Sequence, residues 1–312
     1  MHNTQGHFVQ TVRKVLSIII VLAISIFSWT GCARTPLAIL TEDGSLTDAI
    51  YLYEGQSILL KSSRQGEKQN WSVEDDKVAD ILLDGTLTAK KEGVTTVTLS
   101  SVFQTVTANI QVMPGRCAWT IGDSIFDYRD NGSEDMVQTI FNSSGYSTLC
   151  MDNLAGSTIR SARNMGIIDH IQSGMYENWD EPDLIVIFRG TNDAYFDLNE
   201  PNVFKTDQTL EEAVEQTCQY FRTLHPEAKI VWATPIYRAD VPQKDLDQVR
   251  SALYKICSRY QVEVFDLHMR GAFGKLNYDN NRQLLYDGIH LHDIGAAEMI
   301  TCYQEYLWKL DQ

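Results

Sequence analysis

The chain has 312 residues, 44% apolar and 21% charged, with 19 Gly and only 7 Pro. That is enough apolar surface to build a core, which excludes collagen-like, low-complexity and wholly disordered chains. With 26 Lys and Arg against 41 Asp and Glu, the net charge is −15. Such a field repels phosphate backbones and anionic lipid surfaces, so it argues against nucleic acid as a partner.

Arg13 and Lys14 precede an apolar run over 15–27, followed by Ser28-Trp29-Thr30-Gly31-Cys32. A basic start, a short apolar stretch and a small residue at the break are the marks of a secretory signal, expected here over 1–31. The run is shorter than the ~20 residues a spanning helix needs. Gly31-Cys32 resembles the lipobox of bacterial lipoproteins, although Trp29 stands where such boxes usually carry Leu. The resemblance implies lipidation at Cys32, a membrane tether and a cell-envelope location. Removing 1–31 would take away two cations and move the net charge from −15 to −17. Cys117, Cys150, Cys218, Cys257 and Cys302 remain, an odd set without metal-type spacing, and are expected as buried thiols. A bridge between Cys117 and Cys150 stays open if their strands are neighbours.

Residues 36–114 read as short strands and turns. Val106, Ala108, Ile110 and Val112 alternate with Thr105, Thr107, Asn109 and Gln111, and Val97 and Leu99 repeat the pattern behind Gly93. Gly55, Asp84-Gly85 and Glu92-Gly93 punctuate the strands at sandwich spacing. The series Asn70-Trp71-Ser72-Val73, Val78-Ala79, Gly85-Thr86-Leu87-Thr88-Ala89 and Gly93-Val94-Thr95-Thr96-Val97 resembles the bacterial Ig-like group 2 domain. That resemblance implies a small sandwich serving as spacer or adhesion module, with Trp71 in its core.

From residue 116 strands and helices alternate, which predicts a parallel sheet with crossover helices over 116–312. Mostly continuous apolar runs at 117–121, 148–151, 184–188, 230–233 and 262–265 suit strands covered on both faces. Leu210, Val214, Thr217, Phe221 and Leu224 share one helical face, as do Leu246, Val249, Leu253, Ile256 and Tyr260. A last helix aligns Ala296, Ile300, Tyr303, Leu307 and Leu310, with Asp293 as its expected N-cap.

Chemistry-bearing residues follow these strands. The first leads into Gly122-Asp123-Ser124, placing a serine where open α/β sheets bind ligands; the same tripeptide also serves as a turn and helix cap. After the second comes Gly156, suited to close backbone approach or to a plain turn. After the third, Gly190-Thr191-Asn192-Asp193 offers an amide at the same edge, or an ordinary turn. Near the end, Asp287 stands three residues before His290, close enough to bond its Nδ1–H and leave Nε2 free for a serine proton. Asp287, His290, His292 and Asp293 could instead be read as a metal cluster, but further ligands are missing and no metal is expected.

These four features, in this order, resemble the blocks of the SGNH hydrolases, the GDSL esterase/lipase family, across 116–310; Ile125 replaces the Leu of the name. The resemblance implies a flavodoxin-like three-layer α/β/α fold with a parallel sheet, here preceded by the small all-β sandwich. It implies Ser124 as nucleophile, His290 as base and Asp287 as its orienting acid. Ser124 N–H, Gly156 N–H and the Asn192 side chain would form the oxyanion hole. Ester hydrolysis through an acyl-enzyme with no cofactor follows, on small acyl esters or acetylated saccharides. A lysophospholipase-type esterase and a non-catalytic surface adhesion protein stay open as alternatives. Phe126, Tyr128, Tyr195 and Phe196 could stack on sugar rings or fill the core.

Overall fold

A computed structural model of the chain describes residues 35–127, 136–269, 273–274 and 284–311. The expected leader with Cys32, and the aromatic Tyr128, lie outside the described residues.

Residues 37–113 form an all-β region whose short strands follow the sequence alternation. Its strands are β1 (Ile39–Leu40), β2 (Ala49–Tyr53), β3 (Ser57–Leu59), β4 (Lys61–Ser62), β5 (Asn70–Val73), β6 (Ala79–Ile81), β7 (Thr86–Ala89), β8 (Gly93–Ser100) and β9 (Thr105–Met113). One sheet has the order β2-β9-β8-β5 and another β3-β7-β6, with β1 and β4 as a separate antiparallel pair. Pairing is antiparallel except between β2 and β9, which run parallel. Along β9, Ala108, Ile110 and Val112 are buried while Thr107, Asn109 and Gln111 face water, the period-2 pattern of a half-covered strand. Trp71, Leu87, Val97 and Leu99 pack together from both sheets, so Trp71 is a core residue.

Only Pro114 and Gly115 separate β9 from β10 (Arg116–Gly122), and that joint is packed. A Cβ on Gly115 would fall 2.0 Å from Ser147 Oγ and 3.2 Å from its Cβ, so any larger residue would force Ser147 to shift. The Arg116 guanidinium lies 4.2 Å from the Tyr53 ring centroid and 4.1 Å from that of Tyr146. Gln56 Nε2 donates to Ser143 O at 2.9 Å. Sandwich and α/β region therefore touch through specific side chains.

The second region alternates β10, α1 (Met136–Ser143), β11 (Tyr146–Asn153), α2 (Ile167–Gln172), β12 (Leu184–Phe188), α3 (Thr191–Asn199), α4 (Leu210–Leu224), β13 (Lys229–Ala233), α5 (Gln243–Ile256), β14 (Val262–Phe265) and α6 (Asp293–Leu310). The five strands pair in parallel in the order β11-β10-β12-β13-β14. Numbered within this sheet that is 2-1-3-4-5, the flavodoxin-like order, with the topological switch beside β10 and β12. Every residue of β12 is buried, because helices cover both faces. Ala118, Val186, Phe188, Val231 and Phe265 pack on α1 and α6, while Trp119, Ile121, Ile185, Ile187 and Trp232 pack on α2, α4 and α5. This is the three-layer SGNH hydrolase fold anticipated from the sequence.

Three local expectations need correction. His292, not Asp293, takes the N-cap position of α6, with extended backbone and no side-chain capping bond; Asp293 is the first helical residue. Leu224, at the frayed end of α4, is exposed rather than buried. Cys150 and Cys302 are only half-buried, and all five cysteines described are free thiols. Cys117 is level with Thr148 and Cys150 with Trp119, so the two cysteines are diagonal neighbours on one face of adjacent strands. Burial and the Cys150 thiol push the Cys117 thiol up, and both are free thiols.

Candidate active site

Ser124 follows β10 directly, and its local turn is held by the preceding residue. Asp123 Oδ1 accepts the Ile125 N–H at 3.0 Å, while its carbonyl accepts those of Phe126 (3.1 Å) and Asp127 (3.0 Å). Asp123 is almost fully buried, and burial pushes its carboxyl up to about 6. The Ile125 N–H, Arg238, Arg189 and His290 act in the opposite direction.

The segment after residue 284 folds back on itself. Leu285 and Leu291 form an antiparallel bridge, and Tyr286 N–H donates to His290 O at 3.0 Å. Inside this turn Asp287 Oδ1 accepts the N–H groups of Ile289 (2.8 Å) and His290 (2.7 Å). Asp287 Oδ2 lies 2.7 Å from His290 Nδ1. Partial burial pushes the Asp287 carboxyl up, but the His290 N–H, the His290 ring and the Ile289 N–H outweigh it and hold the group below the usual carboxylate range. An ionised Asp287 keeps the proton on Nδ1, so Nε2 is the acceptor face of the ring. That face meets Ser124 Oγ at 3.1 Å, across 166 positions of sequence. A hydroxyl bonded to an oriented imidazole can give up its proton as it attacks a carbonyl. The exposed His292 is engaged differently: its N–H donates to Leu284 O at 2.8 Å and its carbonyl accepts Ala296 N–H.

The oxyanion candidates sit on the adjoining loops. Beyond β11, Gly156 has φ +75°, a left-handed conformation that glycine adopts without strain. The nearest atom to a Cβ placed there would be Met165 Cε at 4.0 Å, so backbone conformation rather than crowding calls for glycine. Ser157 Oγ donates to Gly122 O at 3.0 Å, tying this loop to the end of β10. Asn192, in the first turn of α3, is buried, and its Nδ2 donates to Ser157 O at 2.9 Å. One Nδ2 hydrogen remains beyond that bond.

Several residues near the site escaped the sequence reading. Arg189, fully buried at the end of β12, donates from Nε to Gly122 O (2.9 Å) and from Nη2 to Asp152 O (2.8 Å). Asp152 Oδ1 is 2.7 Å from the same Nη2, while Oδ2 receives Tyr176 OH (2.6 Å) and lies 2.7 Å from His170 Nδ1. Burial pushes the Asp152 carboxyl up, yet Arg189, His170 and Tyr176 outweigh it and hold it below the usual range. Arg238, past β13, bonds Asn192 Oδ1, and Tyr286 stacks on His290 with centroids 5.8 Å apart. A polar residue in an apolar run, such as the Arg after Leu184–Phe188, was the one available signal.

Of the aromatics proposed for sugar stacking, Phe126 and Phe196 are buried. Phe126 packs on Phe188 and Tyr303, and Phe196 on Tyr195 and Phe204. Tyr195 is half-buried under the Arg238 guanidinium.

A parallel sheet of this order, with a serine and a histidine meeting at its carboxyl edge, defines a class of α/β hydrolytic folds. The model of the GDSL-like lipase/acylhydrolase family matches residues 120–297. The chain belongs to that family of acyl-ester hydrolases. Among solved structures, a protein from Lactobacillus plantarum is 18% identical with TM-score 0.50, covering 62% of this chain and 97% of its own. An acetyl xylan esterase is 17% identical with TM-score 0.48, covering 61% and 98%. A putative GDSL-like lipase from Parabacteroides merdae is 15% identical with TM-score 0.46, covering 62% and 95%. No curated protein matches the sequence.

Proposed function

We propose that this chain is a serine esterase, exported and tethered by lipid at Cys32, that removes short acyl groups, chiefly acetyl, from carbohydrate. The observation that carries the reading is the relay Ser124 Oγ to His290 Nε2 (3.1 Å) and His290 Nδ1 to Asp287 Oδ2 (2.7 Å). Ser124 attacks the ester carbonyl as His290 takes its proton, and Asp287 stabilises the imidazolium that forms. The Ser124 and Gly156 N–H groups, with Asn192 Nδ2, receive the oxyanion. Collapse of the tetrahedral intermediate expels the alcohol, protonated by His290, and leaves an acyl-Ser124. Water then repeats the sequence with His290 as base, releasing the acid.

Two features favour a saccharide over a lipid. The Tyr286 ring is 55% exposed beside His290, a flat apolar surface suited to one face of a sugar. Without residues 1–31 the net charge of −15 becomes −17, which opposes anionic lipid surfaces. In this reading residues 36–114 are an Ig-like spacer and 116–312 the hydrolase domain.

Acetyl, butyryl and octanoyl p-nitrophenyl esters test the substrate class, with Ser124→Ala as control. The acetyl ester is expected to give the highest kcat/KM, with a steep fall by octanoyl. Preference for octanoyl would replace this reading with the lysophospholipase type, and no turnover at all would favour the adhesion protein. For the tether, Cys32→Ala is expected to release the protein from membranes or leave its leader uncleaved. A mature chain with unmodified Cys32, seen by mass spectrometry, removes the lipid anchor from the proposal.

A further inference from the structure

Asn192 is asked to present one N–H to the oxyanion, yet an amide side chain has two nearly isosteric orientations. In one, Nδ2 faces the pocket loop; in the other, Oδ1 does, and the donor is lost. Two contacts discriminate between them. Nδ2 donates to Ser157 O at 2.9 Å, and Oδ1 accepts from Arg238 Nη1 at 3.2 Å. A flipped amide would set oxygen against the Ser157 carbonyl and NH2 against the guanidinium, two repulsive pairs in a buried place. Arg238 is itself held still. Its Nε and Nη2 bind Asp240 Oδ1 (2.6 Å) and Oδ2 (2.7 Å) in a fork, and the Tyr195 ring centroid lies 5.0 Å from its Cζ. The next residue, Ala239, donates its N–H to Gly288 O at 2.8 Å, inside the turn between Asp287 and His290.

We infer that Arg238 is a positioning residue of the oxyanion hole: its bond to Asn192 Oδ1 selects the donor orientation of that amide. The Arg238–Asp240 fork and the Ala239–Gly288 bond register this donor against the turn that carries the base. The inference rests on the oxyanion-hole reading proposed above. It adds a residue that touches neither the reacting atoms nor the relay.

A double-mutant cycle on the full chain with p-nitrophenyl acetate tests it. Asn192→Ala is expected to lower kcat by about 10²–10³-fold, as for loss of one oxyanion donor. Arg238→Met is expected to lower kcat by about tenfold or more with KM little changed, the scale on which supporting residues act. Arg238→Lys, which keeps one donor, should recover part of that loss. Arg238→Met added to Asn192→Ala should cost nothing further, because its effect passes through the amide. A costly Asn192→Ala with an unchanged Arg238→Met factor in that background overturns the role of Arg238 alone. A harmless Asn192→Ala overturns the oxyanion-hole reading and the Arg238 role with it. Should Arg238→Met fail to fold, Asp240→Asn loosens the same fork from a half-exposed position. It is expected to show a smaller loss of kcat that also vanishes beside Asn192→Ala; a loss that persists there overturns the inference.

Discussion

Replacing His290 with Ala is expected to lower kcat by about 10⁴-fold or more, the scale on which a serine hydrolase loses its base. Asp287→Asn should be comparably severe. The amide could donate to Nδ1, favouring the tautomer that turns a protonated Nε2 toward Ser124. Asp287 also accepts the Ile289 and His290 N–H groups, so the substitution loosens the turn as well as the ring. His292→Ala should leave most activity, since this exposed residue begins α6 through its backbone and makes no side-chain capping bond that alanine would lose. Single-turnover and steady-state rates of the three variants beside wild type decide the matter. Near-normal turnover of His290→Ala would mean that another group serves as base.

The second large effect concerns stability. Asp152→Ala leaves the Arg189 guanidinium, which has no side-chain exposure, without its counter-charge. Breaking such a pair from one side costs about 3–5 kcal/mol, far more than the pair contributes relative to an apolar replacement. The urea midpoint should fall accordingly. Activity should fall too, because Arg189 also holds the carbonyl of Gly122, two residues before Ser124. The folded-state pKa of Asp152 lies below its unfolded value. Its ionised form therefore adds stability above about pH 3.9, and that contribution is lost as the pH falls through the folded pKa. The gap in stability between wild type and Asp152→Asn should narrow on acidification below pH ~4. A gap that widens would assign the pair's contribution to another group.

The central strand β12 was legible because it is an apolar run buried on both faces, whereas the edge strands β11 and β14 carry exposed polar residues and gave a weaker signal. The Asp287–His290 contact was legible for a different reason: both partners lie in one turn, where spacing alone limits their geometry. Arg238, Asp152 and Arg189 were not, since each acts on residues tens of positions away and its local pattern says nothing about the partner. Phe126 and Phe196 show the same limit from the apolar side. An aromatic after a strand may line a pocket or fill a core, and only the packing of Phe188, Tyr303 and Phe204 around them decides. The cap of α6 slipped by one residue because His292 begins the helix through its backbone, with no side-chain bond that a cap preference could signal.

The joint at Gly115 and Arg116 lies at the amino ends of β10 and β11, where Arg116 lies against the Tyr53 and Tyr146 rings and Gln56 bonds the Ser143 carbonyl. Ser124 lies past the opposite end of β10. At ~3.3 Å per residue, the seven residues of that strand set the two roughly 20 Å apart. The sandwich thus works as a handle rather than a wall: it grips the sheet from behind and leaves the serine's side clear. The contact between sandwich and sheet is made where the Tyr53 and Tyr146 rings flank Arg116, far from any reacting atom.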